Sequence, residues 1–119
     1  MAAHEKATAP EDITRLFVER ANARDADGMA ALYAEDAVMA YPPGGTTVGR
    51  EAIRELCEQL VDRVPHFEPE PPLPALVSGG VALTSTVAKD GTGVRVQVAR
   101  REPDGSWLRV LDQPELAPR

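Results

Sequence analysis

Aromatic residues are scarce in this chain of 119 residues, at 4% of the total, so Phe17, Tyr33, Tyr41, Phe67 and Trp107 each stand out individually. Cysteine is scarcer still. Cys57 is alone, which excludes an internal disulfide and fits a reducing compartment. Histidine occurs only at His4 and His66, with no clustered ligand set around either, so the inventory offers no metal centre. No apolar run approaches the roughly 20 residues of a membrane span, and the N-terminus has no signal-peptide core. A soluble cytoplasmic protein is therefore expected. Positive charge is the minority sign, with 13 Lys and Arg against 19 Asp and Glu, a net charge of -6. That balance argues against nucleic acid and against anionic membrane surfaces as partners. Gly44, Gly45 and Gly49 lack the spacing of a phosphate loop, and no Gly-rich fingerprint follows an expected strand, so no cofactor is implied.

What is present suits one domain over residues 1–119. An apolar content of 43% supports a real core, and at this length roughly two-thirds of the unfolded surface can be buried. The core spans about residues 11–112, with loose tails at 1–7 and 113–119. Thr8-Ala9-Pro10-Glu11 matches a capping box, and Ile13, Leu16, Phe17 and Ala21 then put one apolar face on a helix from Glu11 to Arg24. Asp25-Ala26-Asp27-Gly28 breaks it and offers Asp27 as the cap of a short second helix, whose inward face is Met29, Leu32 and Tyr33. Val38 to Tyr41 reads as a strand stopped by Pro42-Pro43-Gly44-Gly45.

The clearest element follows. Ile53, Leu56, Cys57, Leu60, Val61 and Val64 recur at helical spacing until Pro65 ends the run. His66 to Pro74 holds four prolines and reads as an extended connection. The second half is strand-rich: Ala75 to Ser78, Val81 to Ala88, Val94 to Arg101 and Trp107 to Asp112, with hairpin signals at Asp90-Gly91 and Asp104-Gly105. Helices first and an antiparallel meander afterwards give an α+β class. Val94, Val96 and Val98 share one strand face, and Arg95, Gln97 and Ala99 share the other.

The order of these segments carries a resemblance. A Phe17-type helix, the Asp25-Ala26-Asp27-Gly28 break, Leu32-Tyr33-Ala34-Glu35-Asp36-Ala37, the Gly49-Arg50-Glu51-Ala52-Ile53 helix start and Asp104-Gly105-Ser106-Trp107 together resemble the nuclear-transport-factor-2-like superfamily. That superfamily contains ketosteroid isomerases and SnoaL-like polyketide cyclases. The resemblance implies a cone-shaped, cystatin-like fold, in which a curved antiparallel sheet is wrapped by three N-terminal helices around an apolar pocket. It also implies a homodimer formed through the convex sheet face, and the row Val94, Val96 and Val98 gives that a physical basis.

The isomerase chemistry does not carry over. Ketosteroid isomerases use an aspartate base with a tyrosine and a protonated aspartic acid as oxyanion donors. Those three places fall here on Tyr41, Phe17 and Gln97. Phe17 cannot donate, Gln97 donates only as an amide, and Tyr41 has an ordinary pKa near 10. The site is replaced rather than missing one group.

The candidate pocket is Phe17, Met39, Tyr41, Leu56, Leu60, Arg95 and Gln97. Asp112, on the last strand, is the best acid/base candidate by analogy with SnoaL-like enzymes, and a carboxylate at the strand end facing solvent is the plain alternative. Tyr41 either orients a ligand through its hydroxyl or fills a wall. Arg95 either anchors an anionic ligand or pairs with Asp112, and that pair would also suit water activation on an epoxide. His66 beside its prolines reads as solvent-facing, and Cys57 as a buried thiol. Two functions remain open. One is cofactor-free isomerisation, cyclisation or dehydration of a small hydrophobic carbonyl compound, with Asp112 moving the proton and Tyr41 and Gln97 stabilising an enolate. The other is a non-catalytic ligand-binding or dimerising accessory domain.

Overall fold

A computed structural model describes residues 4–87 and 93–114. Helix α1 spans Asp12–Asn22, α2 Ala26–Ala30 and α3 Arg50–Arg63. The strands are β1 Tyr33–Met39, β2 Thr47–Val48, β3 Leu76–Ser78, β4 Val81–Val87, β5 Val94–Arg101 and β6 Trp107–Gln113. They form one curved sheet in the order β2-β1-β6-β5-β4-β3, with α1 and α3 packed on its inner side. The α+β class and the helix-wrapped sheet are as expected. The sheet is mixed, however, because β1 lies parallel to β6. Parallel neighbours need a long crossover, and residues 40–106 supply it.

Local chemistry explains the ends of the helices. The expected capping box at Thr8 does not form. Instead the Asp12 carboxylate in the first turn of α1 accepts from the Thr8 and Ala9 backbone N–H groups at 3.2 and 3.1 Å, which folds the entry segment back onto the helix. The short helix α2 is capped by Asp25, one residue pair earlier than expected, because its carboxylate accepts from the Gly28 N–H at 2.9 Å. Gly49 starts α3 at a φ of 95°, a left-handed conformation that glycine adopts without strain, while its N–H donates to Ala37 at 2.8 Å. Residues 4–7 are docked rather than loose: Ala7 is buried and its carbonyl accepts from the Trp107 N–H at 3.0 Å.

Two further expectations change. Tyr33 opens β1 instead of closing the short helix, and β1 ends at Met39 rather than Tyr41. The Asp104-Gly105 turn does join β5 to β6, with Gly105 donating to Glu102 at 2.9 Å. The Asp90-Gly91 signal lies outside the described residues. Ile13, Leu16, Met29, Tyr33, Ile53 and Cys57 make the buried centre where the helices meet the sheet. Among the described residues, no helix is long and apolar enough to cross a membrane.

Candidate functional site

Strand β6 places two charges inside the cone by breaking its own alternation. Trp107 and Arg109 point inward, and strict period two would send position 111 in and Asp112 out. The pairing with β5 slips by one residue here: Val98 faces Leu111 while Ala99 faces Arg109. Val110 is the extra residue of a β-bulge. After it the phase reverses, so Leu111 is exposed and Asp112 is buried at 7% exposure. Arg109, at 5%, is buried too.

Cross-strand register then builds two inward rows. Tyr33, Arg109, Ala99 and Ala82 are successive partners across β1, β6, β5 and β4. Met39, Asp112, Gln97 and Thr84 form the next row. The two alanines leave space beside the guanidinium, and the second row is polar over three of its four positions.

Within these rows Tyr33 donates its hydroxyl to Asp112 Oδ2 at 2.5 Å, and Arg109 Nη1 donates to the Tyr33 oxygen at 3.4 Å. The same Nη1 lies 3.7 Å from Asp112 Oδ2. Arg109 Nη2 donates to Thr14 at 3.2 Å, and its guanidinium carbon lies 5.6 Å from the Phe17 ring centre and 5.8 Å from that of Tyr33. One donor is left over: among the described residues, Arg109 Nε is buried and has no acceptor. A buried N–H without a partner costs about 1–3 kcal/mol.

The environment fixes the protonation of three groups. Burial, reinforced by the Asp112 charge, pushes the Tyr33 phenol well above its usual range, so it remains a donor. Burial works against the charge of Arg109 but is outweighed by Tyr33 and Asp112, and its pKa is raised. Burial and then Asp112 push the Cys57 thiol up to about 11.

The expected site residues separate into two groups. Asp112, Met39 and Gln97 are buried on the inward face, while Phe17, Leu56 and Leu60 are half-buried and packed against the core. Gln97 Oε1 accepts from the Thr84 hydroxyl at 2.9 Å, which leaves its NH2 for another partner. Arg95 is also on this face, but its partner is Glu70 at 2.9 Å, not Asp112. The arginine that meets Asp112 is Arg109, three residues away on the same strand.

Tyr41, expected in the pocket, lies just beyond the end of β1 and is 37% exposed. Its N–H donates back to Met39 at 2.9 Å, a tight turn that takes the chain off the sheet before alternation can bring the ring inward. His66 is exposed beside Glu68 and Cys57 is buried. Sequence reasoning missed Tyr33 and Arg109. A lone arginine inside Trp107-Leu108-Arg109-Val110-Leu111 is the one signal that pointed to the second.

The outer face of the same sheet is apolar. Val87 faces Val94, and Leu83 faces Val98, which in turn faces Leu111. Val94, Val96 and Val98 are half-buried, whereas Val81 and Leu111 are each 51% exposed. Two surface hollows of about 590 and 640 Å³ lie near Lys6 and Trp107 and near Arg50 and Arg54, and neither is lined by Asp112, Tyr33 or Arg109.

A curved sheet wrapped by helices around an inward-facing polar cluster defines the fold class. The chain belongs to the SnoaL-like domain family, whose model matches residues 14–111. Its fold is similar to that of a putative calcium/calmodulin-dependent protein kinase type II association domain from Thiobacillus denitrificans, with a TM-score of 0.71 at 19% identity over 93% of this chain and 98% of that one. A ketosteroid isomerase-like protein from Erwinia carotovora atroseptica gives a TM-score of 0.70 at 18% identity, covering 91% and 94%. A nuclear-transport-factor-2-like protein with a cystatin-like fold from Novosphingobium aromaticivorans gives 0.66 at 25% identity, covering 89% and 78%. No curated protein matches the sequence.

Proposed function

We propose that this chain is a cofactor-free acid/base enzyme acting on a small hydrophobic carbonyl compound, with Asp112 as the group that moves the proton. One observation carries the reading: a buried carboxylate, a neutral phenol and a cation converge on the inner face of the sheet, and the cation keeps an unused N–H. A binding cavity for an apolar ligand needs none of these three, and burying them costs stability. In the proposed step Asp112 takes a proton from the carbon beside the carbonyl. Arg109 Nε and the Gln97 amide hold the oxygen on which charge develops. Returning the proton to a different carbon isomerises the compound, returning it to a hydroxyl dehydrates it, and attack by the enolate on a second carbonyl cyclises it. Tyr33 touches none of the reacting atoms and positions Asp112 through Oδ2. Phe17, Leu56 and Leu60 supply the apolar wall.

The test is deuterium exchange at the carbon beside the carbonyl, followed by NMR over steroid enones, aromatic polyketide fragments, small lactones and short oxo-carboxylic acids. A small epoxide in the panel reads water activation by the same Arg109–Asp112 pair. Exchange that is accelerated by the wild type and lost in Asp112→Asn supports the reading. Exchange that survives Asp112→Asn, or a panel no faster than buffer, overturns it. The apolar outer face favours a second, compatible reading, in which a second copy of the chain covers Val94, Val96 and Val98. If the enzyme reading fails, that face supports a dimerising accessory domain.

A further inference from the structure

On the inner face beside the proposed reaction centre, a second cluster holds a carboxylate belonging to the chain itself. Arg95 donates from Nε to Glu70 Oε1 at 2.9 Å and from Nη2 to Oε2 at 3.2 Å, a fork-to-fork pair. Thr86, 1% exposed, donates to the same Oε1 at 3.1 Å. Arg95 is itself braced by Nη1, which donates to the Pro114 carbonyl at 3.0 Å. Thr86 and Arg95 are register partners across β4 and β5, so the cradle is built on two rigid strands.

Its occupant is built differently. Glu70 sits between α3 and β3 in a segment without helix or strand, beside Pro69, Pro71 and Pro72, which have no N–H with which to join a ladder. That segment is tied down at its two ends. Asn22 bonds both the N–H and the carbonyl of Phe67, at 2.8 and 3.0 Å, and the Leu73 N–H donates to Ser85 at 2.9 Å. Between those ties, the Glu70 carboxylate and a bridge at Pro72 both hold the segment to the strands.

Arg95 and Gln97 are two positions apart on one face of β5, about 7 Å along the strand, and Gln97 is the register partner of Asp112. A molecule whose carboxylate replaced that of Glu70 would therefore lay its chain toward the Gln97 amide and the Asp112 carboxylate.

We propose that the Thr86–Arg95 cradle is the anchoring subsite for a ligand carboxylate, and that Glu70 is the resident stand-in which the ligand displaces. The substrate class is then narrowed to oxo-carboxylic acids, molecules with a carboxylate at one end and a carbonyl within reach of Gln97. This specification rests on the acid/base reading for the chemistry, but the subsite itself is a matter of binding. Net acidity does not oppose it, because Arg95 and Arg109 place positive charge on this face.

Levulinate and its methyl ester are the probes, titrated against the full chain by calorimetry and by NMR. Glu70 competes intramolecularly at an effective concentration on the order of millimolar, so Glu70→Gln should tighten levulinate binding by about tenfold or more. Methyl levulinate should gain nothing from that substitution. Arg95→Met should abolish the gain in the Glu70→Gln background, and Arg95→Lys, which keeps the charge but not the fork, should restore part of it. Glu70→Ala repeats the test without an amide that can re-bond to Arg95. Equal affinity of wild type and both Glu70 variants for levulinate, or an ester that binds as well as the acid, overturns the proposal. Levulinate binding should persist in Asp112→Asn. Loss of exchange with retained binding therefore separates this subsite from the fate of the catalytic reading.

Discussion

The two faces of the sheet differ in the charged and apolar side chains that they carry. The inner face, under the helices, carries Arg109, Asp112, Gln97, Thr84 and Thr86, all of them buried. The outer face carries Val81, Leu83, Val87 and Leu111, all of them exposed. A sheet optimised only for stability would put the valines under the helices and the charges in water. Buried charge clusters are frequent at functional sites and exposed apolar faces at interaction surfaces, and the proposed function rests on that contrast.

The strongest way to break that contrast is to remove one charge from the interior. Arg109→Met leaves the Asp112 carboxylate buried without its cation and should cost about 3–5 kcal/mol in urea unfolding. Adding Asp112→Leu to it should recover most of the loss, since an apolar pair of similar volume is often as stable. A double variant as unstable as the single one would mean that the charges stabilise the fold and are not retained for chemistry.

Next comes pH. Cys57 rises from its ordinary 9.0 to about 11 by burial and by the nearby Asp112 charge. Above pH 9 the unfolded chain releases this proton while the folded chain retains it, so folding stability should fall as pH rises from 9 to 11. The loss should reach about 2–3 kcal/mol. Cys57→Ala should flatten that part of the curve, and an unchanged slope would place the thiol in a more polar setting than the buried face of α3.

The outer face yields the third effect. Val96→Asp should weaken self-association by roughly 30-fold, about 2 kcal/mol, while leaving the monomer folded. Sedimentation is the measurement. A wild-type chain that already runs as a 12.8 kDa species at micromolar concentration would remove the dimer reading altogether.

The smallest effects compare the two tyrosines. Tyr33→Phe removes a buried hydrogen bond to a charge and should cost about 1–2 kcal/mol, whereas Tyr41→Phe on the exposed turn should stay within about 0.5 kcal/mol. Thermal melts of the two variants decide the matter. Equal costs would erase the distinction between an interior phenol that positions Asp112 and a surface one.

Much of the frame was legible in residues alone. Helix α3 follows from Ile53, Leu56, Cys57 and Leu60, and β5 from the valine alternation, because each signal is local and survives any packing. The turn at Asp104-Gly105 is legible for the same reason. Tyr41 misled because the segment before Pro42 reads as continuous strand, and a turn closed by one backbone bond to Met39 carries no signature in residue type. Tyr33 looked like the last residue of a helix face. Only the pairing of β1 with β6 makes it the first residue of a strand that faces Arg109.

The sequence by itself determined the class of protein: helices followed by strands, Asp112 near the end of the last one, and a valine row on one face of a strand. Tertiary structure decided what Asp112 meets. Its inward direction depends on one extra residue, Val110, whose effect appears only when β6 is laid against β5 and the register slips. Its partners come from positions 33 and 109, and the carboxylate in the neighbouring cradle comes from position 70. Periodicity sees neighbours along a chain, whereas this site is made of neighbours across a sheet, and cross-strand register is fixed only when the whole fold closes.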